Sequence, residues 1–544
     1  MSGNEAGNVE VDVLVVGAGP VGLVAAAELG RLGVRTLLVD ARTEPVPHPR
    51  ARSINVRTNE ILRTHGIEDA VRDVCLPVEW GQQMVFVRTL AGEEIGRLPM
   101  RTQGTRDGIE YSPCAWLLSS QDRLEPVLRR CIDRYPAVTQ WWGCTLEAFT
   151  QDAAGVTAEL VVARERRHVR ARWLIGADGA SSEVRRAIGA TLIGRHGMGD
   201  LVNTQFYADL GPWTDHRPAA LYWTTRPDNV FQKIDLDDRW LCQLSVPGHG
   251  REPIDPQRAA ELIRASVGVT DLEVNVVNTI PWAVSCTVAD RFRVGRVFLA
   301  GDAAHQLPPS GGFGMNTGVQ DAHNLAWKLA FVLRGWAPAH LLETYEIERQ
   351  PIARYNAERS LENGKAVQTI RRTVNGERPD LTRDAALEGV RRYTGFLGMD
   401  LGFTYEHGAF VPDGTDIPTV PDPVIDYRPS ANPGRRAPHH WLRTRDGRAL
   451  STIDLCHSGF HLLAGPRGTP WQEVGDHSPV PLTTTVIGRD VDDPTGTWCE
   501  DFGVASDGAV LVRPDGIVAA RWQHATTAPS AVAVIRRVLG YVPQ

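Results

Sequence analysis

The chain has 544 residues, of which 42% are hydrophobic and 23% charged, with a formal net charge of -7. That length allows a sizeable core and roughly two to four domains of about 150 residues each, so a single small module is excluded. The ordinary charge content and acidic balance argue against nucleic acid as the main partner and leave small molecules as the expected ones.

The start, MSGNEAGNVE, lacks the charged opening and apolar stretch of a signal peptide, and no apolar run approaches the roughly 20 residues that span a bilayer. A cytoplasmic protein without a membrane span is therefore expected. Residues 11–16, nearly all β-branched or Leu, read as a parallel strand buried on both faces. The turn GAGPVG follows, then a helix with small and apolar residues at helical spacing that stops at Gly33, then a second strand over 36–39 closed by Asp40.

Residues 77–98 and 201–282 hold short β-type runs separated by Pro, Gly and Asp, read as one antiparallel sheet assembled from two insertions. Between them, RERRHVRARW at 164–173 reads as a solvated hairpin strand. Two further apolar strands end in Asp-containing turns, WLI in GADGASSEVRR at 176–186 and RVFLA in GDAAHQLPPSGGFGMNTGVQD at 301–321. The second of these places an amide-rich turn before a helix that runs from Asp321 towards Gly335, and another largely helical stretch follows it. Residues 412–438, rich in Pro, Asp and Gly, read as a linker or long surface connection, with a separate region of strands and turns beyond. The eight cysteines form no CxxC, so neither zinc nor dithiol chemistry is signalled. Cys456, His457 and His461 have no fourth ligand nearby and read as packing, and no metal is expected.

In the first turn, Gly17 permits the tight bend, Gly19 lets backbone approach a pyrophosphate, and Gly22 allows helix and strand to pack closely. The helix amino terminus then faces the phosphates. Asp40 stands 18 positions after Gly22, where it can accept hydrogen bonds from an adenosine ribose. A bound dinucleotide follows, although this motif alone leaves NAD and FAD open.

The three ordered motifs GAGPVG, GADGASS and GDAAHQLPPSGGFGMNTGVQDAHNLAWKLA, spread over about residues 11–357, resemble those of the class A FAD-dependent aromatic hydroxylases of the para-hydroxybenzoate hydroxylase fold. Through RARSINVRTNEILR, SSQDRLEPVL and HRPAALYW the chain is most similar to the phenol hydroxylase group that includes 2,4-dichlorophenol 6-monooxygenase, and polyketide hydroxylases share most of these motifs. The resemblance implies an α/β (α+β overall) fold. Residues 1–76, 99–190 and 283–365 would form a Rossmann-like FAD-binding domain, and residues 77–98 with 191–282 a substrate-binding sheet domain. Residues 366–411 would form a helical connection and 412–544 a thioredoxin-like domain without CxxC.

The resemblance also assigns residues. Gly17, Gly19, Pro20, Gly22, Asp40 and Ala41 would belong to the cofactor site, with Arg50 near the phosphates, Gln121 near the ribityl chain and Asp178 in contact with flavin and nicotinamide cofactor. Gly301 would lie near the pyrophosphate, Asp302 would bind the ribityl chain, and Pro309 would line the ring where oxygen reacts. Gly311, Gly312 and Gly314 would let backbone approach the ring, and Met315 and Asn316 would offer amides to it. His305 reads as structural. Where the motif GADG is often followed by an arginine two residues on, this chain has Ser181, with arginines only at Arg185 and Arg186. Where yeast-type phenol hydroxylases carry a catalytic aspartate, it has Arg52, which supplies at most positive charge near the ring. Tyr207, Tyr222, Trp223, Gln243 and Trp282 are the candidates for substrate contact.

The activity implied is hydroxylation of a phenolic or polycyclic aromatic, possibly polyketide, substrate with NADPH or NADH and O2, through a flavin C4a-hydroperoxide. Without a second GxGxxG, the nicotinamide cofactor would bind transiently. The alternatives are epoxidation or Baeyer-Villiger insertion by the same flavin chemistry, and a flavin-binding protein without turnover. The protein is expected as a monomer or homodimer.

Overall fold

A computed structural model describes residues 9–541 except 107, 247, 249–251 and 458, so the opening MSGNEAGN lies outside the described residues. The apolar strand Val9–Val16 sits inside a mixed sheet, between Glu165–Gly176 on one side and Thr36–Asp40 with Val138–Trp142 on the other. Pairing through this central region is parallel, and Val297–Leu299 adds to the far end of Glu165–Gly176. In register, Val16 stands beside Val39 and Gly176, and Gly176 beside Leu299. Four chain segments therefore leave the sheet at one edge, the edge where such sheets bind ligands.

The run at 164–173 forms most of the strand Glu165–Gly176 and pairs as a hairpin with Val156–Val162. Its charged beginning is exposed, while Val169, Ala171 and Trp173 are buried.

Helix Pro20–Arg31 buries ten residues and packs against helix Phe313–Leu333. The second helix begins eight residues before Asp321, where the sequence had placed a turn. Gly312 takes the left-handed conformation, φ +68°, and turns the chain directly into the helix, so the amide-rich stretch supplies its first two turns.

The two insertions build one seven-stranded sheet, in the order Asn275–Ala283, Asp200–Tyr207, Arg239–Ser245, Asp228–Lys233, Leu221–Thr225, Gln83–Val87, Glu94–Pro99. It is mixed rather than wholly antiparallel, because Leu221–Thr225 runs parallel to Gln83–Val87. That seam joins the two insertions, so no hairpin forces the strands to oppose each other. One face carries Phe206, Tyr222, Phe231 and Trp240 into a core shared with Trp80. The other face roofs a cavity.

Helix Glu343–Val374 runs unbroken across residue 365, and the short helices Arg383–Glu388, Arg391–Thr394 and Leu397–Leu401 follow. Residues 412–438 are irregular, as their composition requires, but they are not a surface linker: Ala431, Arg435, Arg436 and Ala437 are buried, and Arg436 pairs with Glu60. The last sheet orders Leu482–Val486, Phe460–Ala464, Ala509–Val512 and Val518–Trp522, beside helices Gln472–His477 and Ala528–Val538. Arg513 of this region reaches Glu348 at 2.7 and 2.9 Å, and Lys328 reaches the same carboxylate at 2.8 Å, all fully buried. Burial alone would raise the Glu348 carboxyl, but the charges of Arg513 and Lys328 outweigh it and hold the group well below its ordinary range.

All eight cysteines are free. His461 spends its Nε2 on Thr485 Oγ1 at 2.8 Å. Among the described residues no group of His, Cys, Asp and Glu is arranged to hold a metal, and no helix is long and apolar enough to cross a membrane.

Candidate active site

The turns leaving the four strand ends form one wall of a cavity of about 930 Å³, at the upper end of ordinary small-molecule sites. Gly17, Gly19, Pro20, Asp40, Ala41, Arg50, Gln121, Asp178, Asp302, Pro309, Gly311, Gly312, Gly314 and Met315 all line it. Gly17 has φ +100°, and a Cβ there would collide with the Ala177 carbonyl. Gly22 lies just behind the wall, tight against the Gly17 carbonyl. Gly301 also stands behind it, its N–H donating to Asp321 at 3.2 Å.

Gly19 and Gly314 are different. A Cβ on either would meet no protein atom within 4 Å, yet both line the cavity. Packing does not require glycine there, and the bare backbone leaves room for a ligand to lie against it. The helices Pro20–Arg31 and Phe313–Leu333 begin at Gly19 and Gly312 without side-chain caps, which leaves their first-turn amides for an anion. Two anion-favouring helix ends and a bare glycine surface fit a dinucleotide whose ring system turns anionic when reduced.

The Asp40 carboxylate is already engaged, accepting from Ala18 N at 2.6 Å and from Arg42 N, Nε and Nη2 at 2.8, 3.0 and 3.1 Å. Burial would raise it, but the Arg42 and Ala18 donors outweigh burial and hold it below the usual carboxylate range. A ribose reaching this edge therefore meets Asp40 and Arg42 together. Gln121 is braced by Glu125 at 2.6 Å. Asp178 accepts from Ser182 Oγ at 2.5 Å and Val184 N at 3.0 Å, which shapes its own turn. Arg185 turns inward from that turn, donating to Ala303 O at 3.1 Å and Ala180 O at 2.9 Å, so it ties two cavity turns together from behind.

Asp302 is exposed to the cavity, where the surrounding protein pushes its carboxyl up against the pull of His305 and Arg50. His305 is locked structurally, its Nε2 2.7 Å from Asp321 Oδ2, and Arg349 Nε holds the other oxygen at 2.8 Å. Asn316 does not reach the cavity. Its Nδ2 donates to Ser53 O at 2.9 Å and Gly312 O at 2.7 Å while Oδ1 accepts from Asn55 N at 3.0 Å, so its side chain clamps the backbone beneath the glycine run.

On the roof, Trp223, Gln243 and Trp282 face the cavity, and Trp282 Nε1 donates to Asn203 Oδ1 at 2.9 Å. Tyr222 and Tyr207 do not. Strand alternation sends Tyr222 to the opposite face, where its hydroxyl donates to Arg217 O at 2.8 Å, and Tyr207 lies at a strand end, 40% exposed. Sequence reasoning missed Trp116, Asn203, Gln232, Tyr393 and Phe396. Asn203 and Gln232 both lie in the region 201–282 read as sheet, and alternation along Asp200–Tyr207 and Asp228–Lys233 turns them to the cavity. Tyr393 and Phe396 come from the short helices of the connection, where no periodicity marked them. Tyr393 meets Trp223 edge-on at 6.5 Å, and Phe396 meets Phe313 at 5.1 Å. Arg52 also lines the cavity, buried between the glycine run and the roof.

Residues 10–360 match a family model described as FAD binding domain, and residues 430–541 one described as aromatic-ring hydroxylase, C-terminal. The chain is 36% identical to a putative polyketide hydroxylase of Streptomyces halstedii, over 97% of this chain and 96% of the relative. It is 32% identical to 2,4-dichlorophenol 6-monooxygenase of Delftia acidovorans over 98% of each. Among solved structures, the flavin-dependent monooxygenase PieE in complex with FAD and substrate superposes with a TM-score of 0.90 at 33% identity, covering 98% of this chain and 100% of that one. A ternary complex of aklavinone-11 hydroxylase with FAD and aklavinone gives 0.85 at 34% identity, covering 98% and 99%.

Proposed function

Because the chain belongs to the FAD-dependent aromatic-ring hydroxylases, we propose that it inserts one atom of O2 into a polycyclic phenol of the aromatic polyketide type, with NADPH or NADH as reductant. The observation that best supports this reading is that a single cavity runs from the dinucleotide turns, past Pro309 and Gly314, to Trp223, Gln243 and Trp282. The reaction balances as ArH + O2 + NAD(P)H + H⁺ giving ArOH + H2O + NAD(P)⁺. Bound FAD supplies the redox chemistry, accepting hydride from the nicotinamide and activating O2.

The chain's own residues bind, orient and exclude water. Gly17, Gly19 and the free amides at the start of Pro20–Arg31 receive the pyrophosphate, Asp40 with Arg42 the adenosine ribose, and Asp302 the ribityl chain. Arg50, Gln121 and Asp178 complete the wall. Gly312, Gly314 and Met315 flank the ring, where the dipole of Phe313–Leu333 favours negative charge. Trp116, Trp223, Tyr393 and Phe396 give the substrate end an aromatic wall beside the polar Asn203, Gln232 and Gln243, and a ring seated on that wall displaces water that would divert the reaction. The nicotinamide cofactor binds transiently rather than in a Rossmann domain of its own. We place the protein in the cytoplasm, where reduced nicotinamide is supplied, and its free cysteines accord with a reducing compartment.

The test is NADPH and NADH consumption by the FAD-loaded protein across simple phenols and hydroxyanthraquinones. Stimulation by the polycyclic phenols, with a product one oxygen heavier and an intact carbon skeleton, is expected. A lactone would point to Baeyer-Villiger insertion, and no stimulation by any aromatic compound would overturn the reading.

A further inference from the structure

Asn203, Gln243 and Gln232 stand on the cavity face of the roof, one on each of three adjacent strands. Asn203 is in register with Gln243, and the rest of the row they share, Ile280, Val230 and Trp223, is apolar and also lines the cavity. Asn203 and Gln232 are 9% and 8% exposed.

Two of these amides have one end already taken. Trp282 Nε1 donates to Asn203 Oδ1 at 2.9 Å, and Arg52 Nη1 donates to Gln232 Oε1 at 3.1 Å. An indole N–H and a guanidinium can only donate, so each fixes which end of its amide is oxygen. The same Arg52 nitrogen donates to Ala220 O at 3.0 Å, which ties the setting of Gln232 to the backbone of the roof. What each amide leaves for the cavity is its NH2. Among the described residues neither Asn203 Nδ2 nor Gln232 Nε2 has a hydrogen-bond partner, and neither is sealed inside the protein as the Trp223 indole nitrogen is. Gln243 has neither end engaged and can turn to suit what it meets.

Water can serve both donors until an aromatic ring lies against this row and displaces it. A donor buried without an acceptor then costs about 5- to 150-fold in affinity. An oxygen acceptor on the ring removes that cost, and a C–H or a methyl in its place does not. A ring carbonyl presents lone pairs and no proton, which is the complement of a fixed NH2. A hydroxyl there would bring a proton that neither fixed NH2 can accept.

We propose that Asn203 Nδ2 and Gln232 Nε2 each donate to a carbonyl oxygen of the substrate, so that the roof selects a quinone-type polycycle over a polycyclic phenol without carbonyls. This deepens the hydroxylase reading and rests on it. Asn203 and Gln232 are the specificity residues, and Trp282 and Arg52 are the positioning residues that aim their donors.

The test compares 2-hydroxyanthraquinone with 2-hydroxyanthracene, which keeps the ring frame and the hydroxyl but has no carbonyl, by equilibrium dialysis against the FAD-loaded protein. At about pH 6 both hydroxyls keep their protons, so ionisation plays no part. The readout is the ratio of the two affinities, in which general packing effects cancel. Asn203→Asp and Gln232→Glu keep the oxygen that Trp282 and Arg52 need and replace only the cavity-facing NH2. Each should lower the ratio in favour of the quinone about 5- to 150-fold while 2-hydroxyanthracene binds as before. Asn203→Leu and Gln232→Met, which add no charge, should lower it likewise. A ratio that stays at the wild-type value in the uncharged variants overturns the proposal. So does a parallel loss of both compounds or of bound FAD, which would leave the amides a packing role. If neither compound binds and no aromatic compound stimulates NADPH use, the hydroxylase reading fails and the proposal with it; if aromatic compounds are hydroxylated while the ratio is unchanged in the variants, only the role of the amides fails.

Discussion

Replacing Gly314 by valine should separate folding from cofactor binding. The residue lies in the first turn of Phe313–Leu333, and a Cβ there meets no protein atom within 4 Å. In a helix, glycine costs about 1 kcal/mol relative to alanine and valine about half of that, so the FAD-free variant should match the wild type or exceed it by about 0.5 kcal/mol. The valine side chain would, however, fill the space assigned to the flavin ring. With FAD at about 100-fold over its Kd, the wild-type protein should gain about 2.7 kcal/mol of stability and the variant almost none. Thermal unfolding of both proteins with and without FAD reads this directly. A variant that shows the wild-type shift with FAD refutes the placement of the ring, and a variant that unfolds far earlier without FAD refutes the claim that packing leaves Gly314 free.

Two further outcomes are expected. Burial would raise the Glu60 carboxyl, but Arg436 and Arg57 outweigh it and bring it down to about 2 from 4.5, so its stabilisation is present above pH 4.5 and fades as pH falls towards 2. Glu60→Gln should cost about 3 to 5 kcal/mol at neutral pH by leaving buried arginines unpaired, and its deficit in urea midpoint should shrink near pH 2; a constant deficit would contradict the pairing. On the roof, Trp223→Ala should raise KM for the aromatic substrate at least several-fold with FAD content unchanged, whereas Tyr207→Ala should leave both alone, and equal effects in steady-state kinetics would contradict the facing of that sheet.

The dinucleotide end was legible because its signals are local: strand, glycine turn, helix and acid follow one another within residues 11–40. The substrate end was legible only by parity. A strand of alternating residues announces two faces without saying which one meets the ligand, and Tyr222 and Trp223 exchange roles on that single choice. Tyr393 and Phe396 left no trace, since they reach the cavity from a connection remote in sequence. Arg185 looked displaced from its motif, yet its side chain folds back to serve the same turn. The composition of residues 412–438 reported irregular backbone and was silent on burial, which Arg436 and Glu60 decide through a contact 376 positions apart.

The central claim is that one cavity brings an aromatic ring to an FAD-dependent oxidant. Turnover under ¹⁸O2 with a hydroxyanthraquinone and NADPH, followed by mass spectrometry, tests it most directly. One labelled oxygen in the product per NADPH consumed is the expected result; an unlabelled product, or NADPH consumption that yields only hydrogen peroxide with every aromatic substrate, would contradict it.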